Sequence, residues 1–347
     1  MPYFLGVDIG GSKSHALIAD QTGQAIGFGS AGTGSPEMIG YDGLAAVLED
    51  ITRQALGMAG ISIDQLTGAG MGIAGYDWPS QLPDVQAAIR RLALACPVEL
   101  VNDATIGILA GAEQGWGISV VAGTGTNCRG LSQDRKRQGR VVGGANYWSG
   151  EPGGAVGLVL DAMSAVVLEW SMRGPPTALS ARFLQHFGLS NLDELIETAY
   201  LTNHYFEPKD VLMVFEVAAQ GDQQTLNIIA RHGRGLGDMV CGVIKQLGIQ
   251  EQAFDIVLIG SLFDGHPLLA QSLGETVHQL APQARLVRLT VPPVVGSVLL
   301  GMEAAGLDPL IARPKLIATV RGVIVEHGNA VRAQQPLDGE SGHKEMP

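Results

Sequence analysis

Tyr3-Phe4-Leu5-Gly6-Val7-Asp8-Ile9-Gly10-Gly11-Ser12-Lys13 is an apolar run that carries one carboxylate near its end and stops at two glycines. Such a run reads as a buried strand entering a tight turn. SHALIAD (residues 14–20) and QAIGFGSAG (residues 24–32) follow as two further strands, so the chain opens with an antiparallel meander. Leu44, Val47, Leu48, Ile51 and Ala55 recur at helical spacing and predict a helix over residues 43–60. TGAGMGIAG (67–75) reads as a buried strand, residues 84–95 as a helix, VELVND (98–103) as a strand ending on a carboxylate, and ATIGILAGAEQG (104–115) as a helix.

The same order begins again at Gly117. GISVVAGTGTN (117–127) is a strand and glycine turn, and RGLSQ and RQGRVVGG supply two more strands. Residues 153–247 are helical in pattern, AFDIVLIGSLF and ARLVRLTVPP read as strands, and a helix is expected over 294–306. Strands alternating with helices indicate an α/β architecture, here of two related halves. The polar end, QQPLDGESGHKEMP, is expected to lack fixed structure.

The 347 residues suffice for about two domains. With 46% hydrophobic and 16% charged residues the chain is too apolar for disorder, and Asp161 and Glu169 interrupt its longest apolar stretch, so no membrane span is expected. The start lacks the basic segment of a secretory leader, which points to the cytoplasm. A net charge of -12 opposes binding to nucleic acid. Cys96, Cys128 and Cys241 are too dispersed for a disulfide framework or a clustered zinc site, and the isolated His186, His204, His232 and His266 read as structural. Glycine is the informative excess: 48 residues, about twice the usual share.

Three places could carry chemistry. Gly10, Gly11, Ser12 and Lys13 offer backbone N–H groups, a hydroxyl and a cation to an anion, although a hairpin turn also explains them and the Walker order of Lys before Ser is absent. Gly123, Thr124, Gly125 and Thr126 repeat that chemistry after a second strand, where a threonine-capped turn is the plainer alternative. Asp103, at a strand's carboxyl end, can accept a hydroxyl proton or can cap the helix that begins at Ala104. Trp148 can offer a flat apolar wall to a sugar or fill a core.

Taken together, the DxGGSK strand-turn, the strand ending Asn102-Asp103, the GTGTN turn and IGSLF (259–263) resemble the phosphate, connecting and adenosine motifs of the sugar kinase/heat-shock-70/actin superfamily. GTGTNCR (123–129), Gly143-Gly144, YWSGEPGG (147–154) and PVVGS (293–297) are similar to the N-acetylglucosamine kinase branch of the BadF/BadG/BcrA/BcrD-type ATPases, over about residues 3–306. That resemblance implies an actin-like ATPase (ribonuclease H-like) fold of two lobes, residues 1–112 and 113–312. Each lobe is a five-stranded mixed sheet with helices, and a ligand cleft lies between them. Residues 313–347 form a C-terminal extension. The implied activity is transfer of the γ-phosphate of ATP to a hydroxyl of an amino sugar.

In this scheme Asp8 holds Mg²⁺ through water, and Gly10 to Lys13 and Gly123 to Thr126 contact the phosphates. Gly260 and Ser261 lie under the adenosine, and Asp103 is the base. Thr124, Asn127, Glu151 and Gly75 join Asp103 around the sugar. A homodimer is left open. Two departures leave the sugar open as well: the loop Gly29–Gly40 contains no asparagine, which that branch uses for sugar hydroxyls, and Gly150-Glu151-Pro152-Gly153 stands where the branch has Gly-Asp-Glu-Gly. Glucosamine kinases, a noncatalytic sugar or nucleotide sensor, and the iron–sulfur ATPase activators of acyl-CoA reductases and dehydratases are the alternatives.

Overall fold

The computed structural model describes residues 1–143, 149–202 and 206–334. It contains two five-stranded sheets. In the first, β1 (Tyr3–Ile9), β2 (Ser14–Asp20) and β3 (Ala25–Ala31) form the expected antiparallel meander. β4 (Leu66–Ile73) and β5 (Val98–Asn102) extend it in the order β3-β2-β1-β4-β5. In the second, β6 (Gly117–Ala122), β7 (Thr126–Leu131) and β8 (Gln138–Val142) form another meander. β9 (Asp255–Ile259) and β10 (Arg285–Arg288) join it in parallel, giving the order β10-β9-β6-β7-β8.

By packing, the chain divides into two compact units. One comprises Met1–Met71, Pro83–Glu99 and the stretch from Ser297, and the other Gly72–Leu82 and Leu100–Gly296. The meanders form because β1 and β6 are apolar on both faces and each is bounded by glycines, so the chain must reverse at once. The second unit packs α4 (Ala155–Trp170), α5 (Ala178–Phe187), α6 (Leu192–Thr202), α7 (Val211–Ala219), α8 (Gln223–Leu247) and α9 (Pro267–His278) with its sheet, around a core that includes Ile118, Val120, Leu158, Val240, Ile256 and Leu273.

Several elements differ from the sequence reading. α1 runs from Pro36 to Ala59, earlier than residue 43, because Pro36 is preorganised for a helical first turn. Gly40 (φ 69°) breaks it, and Gly60 ends it in the left-handed region. α2 (Leu82–Arg90) stops before residue 95. α10 (Val294–Ala304) matches, but α11 (Pro309–Gln334) is helical where the sequence reading assigns no element. Its buried Ala312, Leu316, Val320 and Val323 do carry helical spacing. α11 lies along the edge strand β3, where Thr319 Oγ1 accepts the Ala25 N–H at 3.0 Å and so occupies an otherwise open ladder position. The polar terminus beyond Gln334 lies outside the described residues. Among the described residues no helix is long and apolar enough to cross a membrane.

Candidate active site

The second unit assembles its polar centre at the start of α3 (Asp103–Gly111). Every residue of this helix from Ala104 to Ala110 is buried, so its first residue is the one place for a charge. Its close packing depends on glycine: a Cβ on Gly296 would lie 1.9 Å from the Ile106 carbonyl oxygen. The cap is Asn102, whose Oδ1 accepts the Ala104 N–H at 3.0 Å. The alternative role of Asp103 as helix cap is thereby corrected. A preceding asparagine has taken that bond, and Asp103 occupies the first turn.

Asp77, which sequence reasoning missed, is the hub of this centre. Its Oδ1 accepts Asn102 Nδ2 at 3.2 Å and Asn127 Nδ2 at 3.1 Å, and also accepts Arg129. The Arg129–Asp77 pair is almost fully buried, with side chains 8% and 10% exposed. Gly75 (φ 76°) turns the chain just before Asp77, and the Gln81 Oε1 accepts the Asp77 N–H at 2.8 Å. Nothing in the local pattern around residues 76–78 marks the carboxylate, because its partners come from β5 and β7. The NCR segment did carry a signal, since Asn127 and Arg129 alternate on one face of β7.

Asp103 keeps partial surface exposure while protein atoms crowd it, and its pKa is pushed up to about 7. Burial is the main cause and the Asp77 carboxylate the second; hydrogen bonding from Ala104 and the Arg129 charge oppose them. One cation serves two carboxylates here, which favours a proton on the less well paired one. Burial lowers the Arg129 pKa, with Asp77 and Asp103 acting against that shift.

The carboxyl ends of the parallel β6 and β9 form a second cluster in this unit. Gly123 N–H donates to the Gly125 carbonyl at 3.0 Å, and Ala155 N–H, at the start of α4, donates to the Gly123 carbonyl at 2.8 Å. A Cβ on Gly154 would lie 2.2 Å from the Thr124 carbonyl oxygen, so the helix start is seated directly on the turn. By contrast, a Cβ on Gly123 or Gly125 would meet nothing within 4 Å. Thr126 donates its hydroxyl to Glu151. Pro152 packs against Gly235 of α8, and His232 Nε2 lies 2.8 Å from the Gly153 carbonyl, so the departure from the acidic pair forms a fixed turn. Gly260 (φ 103°) comes within 2.2 Å of the Ala122 carbonyl at its notional Cβ, bringing Gly260-Ser261 beside the Gly123 turn. Arg288 fixes this turn by donating to the Leu258 and Gly260 carbonyls at 2.9 and 3.0 Å.

Asp8 and Gly10–Lys13 belong to the first unit. Asp8 lies opposite His15 in the β1–β2 ladder, with the Asp8 carboxylate 4.0 Å from His15 Nδ1. Burial, then the Lys13 and His327 charges, lower the His15 pKa, so the ring is neutral beside Asp8. Gly10 N–H donates to the Lys13 carbonyl at 3.0 Å, while Gly11, Ser12 and Lys13 are exposed and a Cβ on Gly11 would meet nothing within 4 Å.

His186 pairs with Asp210 at 3.2 Å and His266 Nδ1 caps α9, both structural contacts. Cys128 is fully buried and its thiol pKa is raised by that burial. Gly144, Tyr147, Trp148 and His204 lie outside the described residues. Among the described residues no group of three or more His, Cys, Asp or Glu side chains could enclose a metal.

The model of the BadF/BadG/BcrA/BcrD ATPase family matches residues 5–301, and the chain belongs to that family. It is 24% identical over 306 residues to an N-acetylmuramic acid/N-acetylglucosamine kinase of Clostridium acetobutylicum, covering 86% of this chain and 98% of the relative. It is 23% identical to an N-acetyl-D-glucosamine kinase of Dictyostelium discoideum, covering 87% and 98%. A ROK family glucokinase from Streptomyces griseus, solved with glucose and AMPPNP, superposes with a TM-score of 0.56 at 18% identity over 87% of this chain and 99% of that one. The fold is the actin-like ATPase fold expected from the sequence.

Proposed function

We propose that this protein is an ATP-dependent sugar kinase that moves the γ-phosphate of ATP to a hydroxyl of an amino sugar, with N-acetylglucosamine as the first candidate. The observation that carries the reading is Asp103: released from capping by Asn102, crowded by protein, and titrating at about 7. A base with that pKa is half available at neutral pH and matched to a hydroxyl whose proton leaves only as phosphorus is attacked. Asp103 accepts that proton while the new O–P bond forms and ADP departs with the electrons of the broken P–O bond. Asn127, Thr124, Glu151 and Gly75 are assigned to the sugar, and Asn127 Oδ1, buried with no hydrogen-bond partner among the described residues, suits a sugar N–H or O–H.

The turns Gly10–Lys13 and Gly123–Thr126 are assigned to the phosphates, which agrees with the open space over Gly11, Gly123 and Gly125. Gly260 and Ser261 are assigned to the adenosine. Mg²⁺ suits a site of one carboxylate plus waters and nucleotide oxygens, and Asp8 supplies a buried carboxylate beside a neutral histidine. When bound, the ion would neutralise charge developing on the phosphate oxygens. A cytoplasmic protein acting on a small-molecule sugar completes the reading. ADP release with Mg-ATP against hexoses and amino sugars tests it: amino-sugar-dependent release is expected, and sugar-independent hydrolysis or silence with every sugar would overturn it.

A further inference from the structure

A carboxylate only accepts hydrogen bonds, so the Asp77 oxygen draws the Nδ2 groups of the two amides that reach it, and the Tyr76 carbonyl also accepts Asn102 Nδ2 at 3.2 Å. Asn102 and Asn127 must both turn their Nδ2 groups toward Asp77, at 3.2 and 3.1 Å. Their oxygens then face away from it. Asn102 Oδ1 accepts the Ala104 N–H and sets the start of α3, while Asn127 Oδ1 is buried without a partner among the described residues. Arg129 donates to the same Asp77 oxygen, and its Nε is also buried with no partner among the described residues.

We propose that Asp77 and Arg129 act as a positioning pair for the transfer: Asp77 orients the Asn127 amide beside Asn102 and Asp103, Arg129 holds Asp77, and the two opposed charges act on Asp103. Neither residue needs to touch the reacting atoms. The inference rests on the kinase reading for its catalytic consequence, while the hydrogen bonds that join Asp77 to Arg129, to Asn127 and to Asn102, the residue before Asp103, stand on the geometry.

The charges facing Asp103 are few. Asp77 raises and Arg129 lowers its pKa. β6, β7 and β9 pack against α3. On them, the other titratable or charged groups are Cys128, whose raised pKa keeps it neutral, and Asp255, which is engaged by Arg285 and by the Glu113 N–H. Arg140 of β8 acts on Arg129 and lies over the Trp78 ring.

The test is a ¹³C NMR titration of the Asp103 carboxyl, assigned by its disappearance in Asp103→Asn, with sugar KM and kcat in parallel. Asp77→Asn should lower the Asp103 midpoint by about one unit, and Arg129→Met should raise it by about as much, because a like and an opposite charge act with opposite sign. Arg129→Lys should keep the midpoint near the wild-type value. The double variant Asp77→Asn/Arg129→Met, which removes the opposed charges together, should return close to it, with sugar KM raised about tenfold because the Asn127 amide loses its anchor. If a single variant fails to fold, the double variant decides through the midpoint and KM together. Equal-signed shifts, no shift, or an unchanged KM in the double variant would overturn the pair. If the wild-type protein phosphorylates no sugar, the kinase reading fails, while the titration still reports whether Asp77 and Arg129 control Asp103.

Discussion

In the first sheet β1 is flanked by β2 and β4, with β3 and β5 at the edges; in the second β6 is flanked by β7 and β9, with β8 and β10 at the edges. The fifth strand of the one leads into Asn102-Asp103, and the fifth strand of the other ends on Arg288. Arg288 is spent on structure, bound to two carbonyls and to Asp264. Asp103 has its capping duty taken by Asn102 and is left as a carboxyl that titrates at about 7. A repeated topology therefore supplies equivalent strand ends, and the residue placed there, with its neighbours, decides whether the end braces a turn or offers a carboxyl for the proposed transfer.

The change that should break this contrast most strongly is Asp103→Asn. Loss of a general base costs about 10² to 10⁴ in kcat, while sugar affinity measured by calorimetry should hold and the variant should melt no lower than wild type. Because Asn102 caps α3, a folded variant that keeps more than about a tenth of wild-type kcat removes Asp103 from catalysis. In the wild type, kcat/KM should rise with pH through about 7 as Asp103 loses its proton, and a flat profile from about pH 5.5 to 8.5 would likewise remove it.

Next in size is Asp8→Ala, expected to lower kcat at limiting Mg²⁺ on the order of 10²-fold with little change in sugar affinity. Full activity at low Mg²⁺ would remove Asp8 from the metal assignment. The two glycine turns sharpen the comparison further. Gly11→Ala and Gly123→Ala place a methyl in open space, so each should leave Tm within about 2 °C while raising the KM for ATP about tenfold. Gly154→Ala, whose methyl would press on the Thr124 carbonyl oxygen, should instead lower Tm. Equal melting losses in all three would mean that the turns are packing features only.

The smallest expected effect is on stability. A carboxyl whose folded pKa lies above its unfolded value of about 3.9 favours folding most below that value, and the contribution is lost as pH rises to about 7. Above that range ionised Asp103 weighs against the folded state, so Asp103→Asn should melt about 2 to 4 °C higher than wild type at pH 8 and show no such gain at pH 4. Differential scanning calorimetry at both values checks the sign.

Much of the site is legible in the sequence because its elements are local: a strand read from an apolar run, a turn read from paired glycines, a carboxylate at the junction. Asp8, the Gly10 and Gly123 turns and Asp103 stand out as candidates this way, whereas Asn127 enters through the family resemblance. Asp77 does not. It sits in an irregular stretch after β4, and its importance lies in three donors contributed by residues far along the chain. Arg288 is hidden for the same reason, since a lone arginine at a strand end shows none of the carbonyls it will bind.

By itself the sequence determined the alternation of strands and helices, the two meanders, the family and the positions of the candidate loops, since periodicity and glycine placement act over a few residues. Only the tertiary structure decided that Asn102 rather than Asp103 caps α3, that the buried Arg129 pairs with Asp77, and that burial first and the Asp77 charge second push the Asp103 pKa up to about 7. The physical reason is range. Backbone propensity is set by near neighbours in the chain, whereas burial and charge depend on which distant residues the fold brings within a few ångströms of one another.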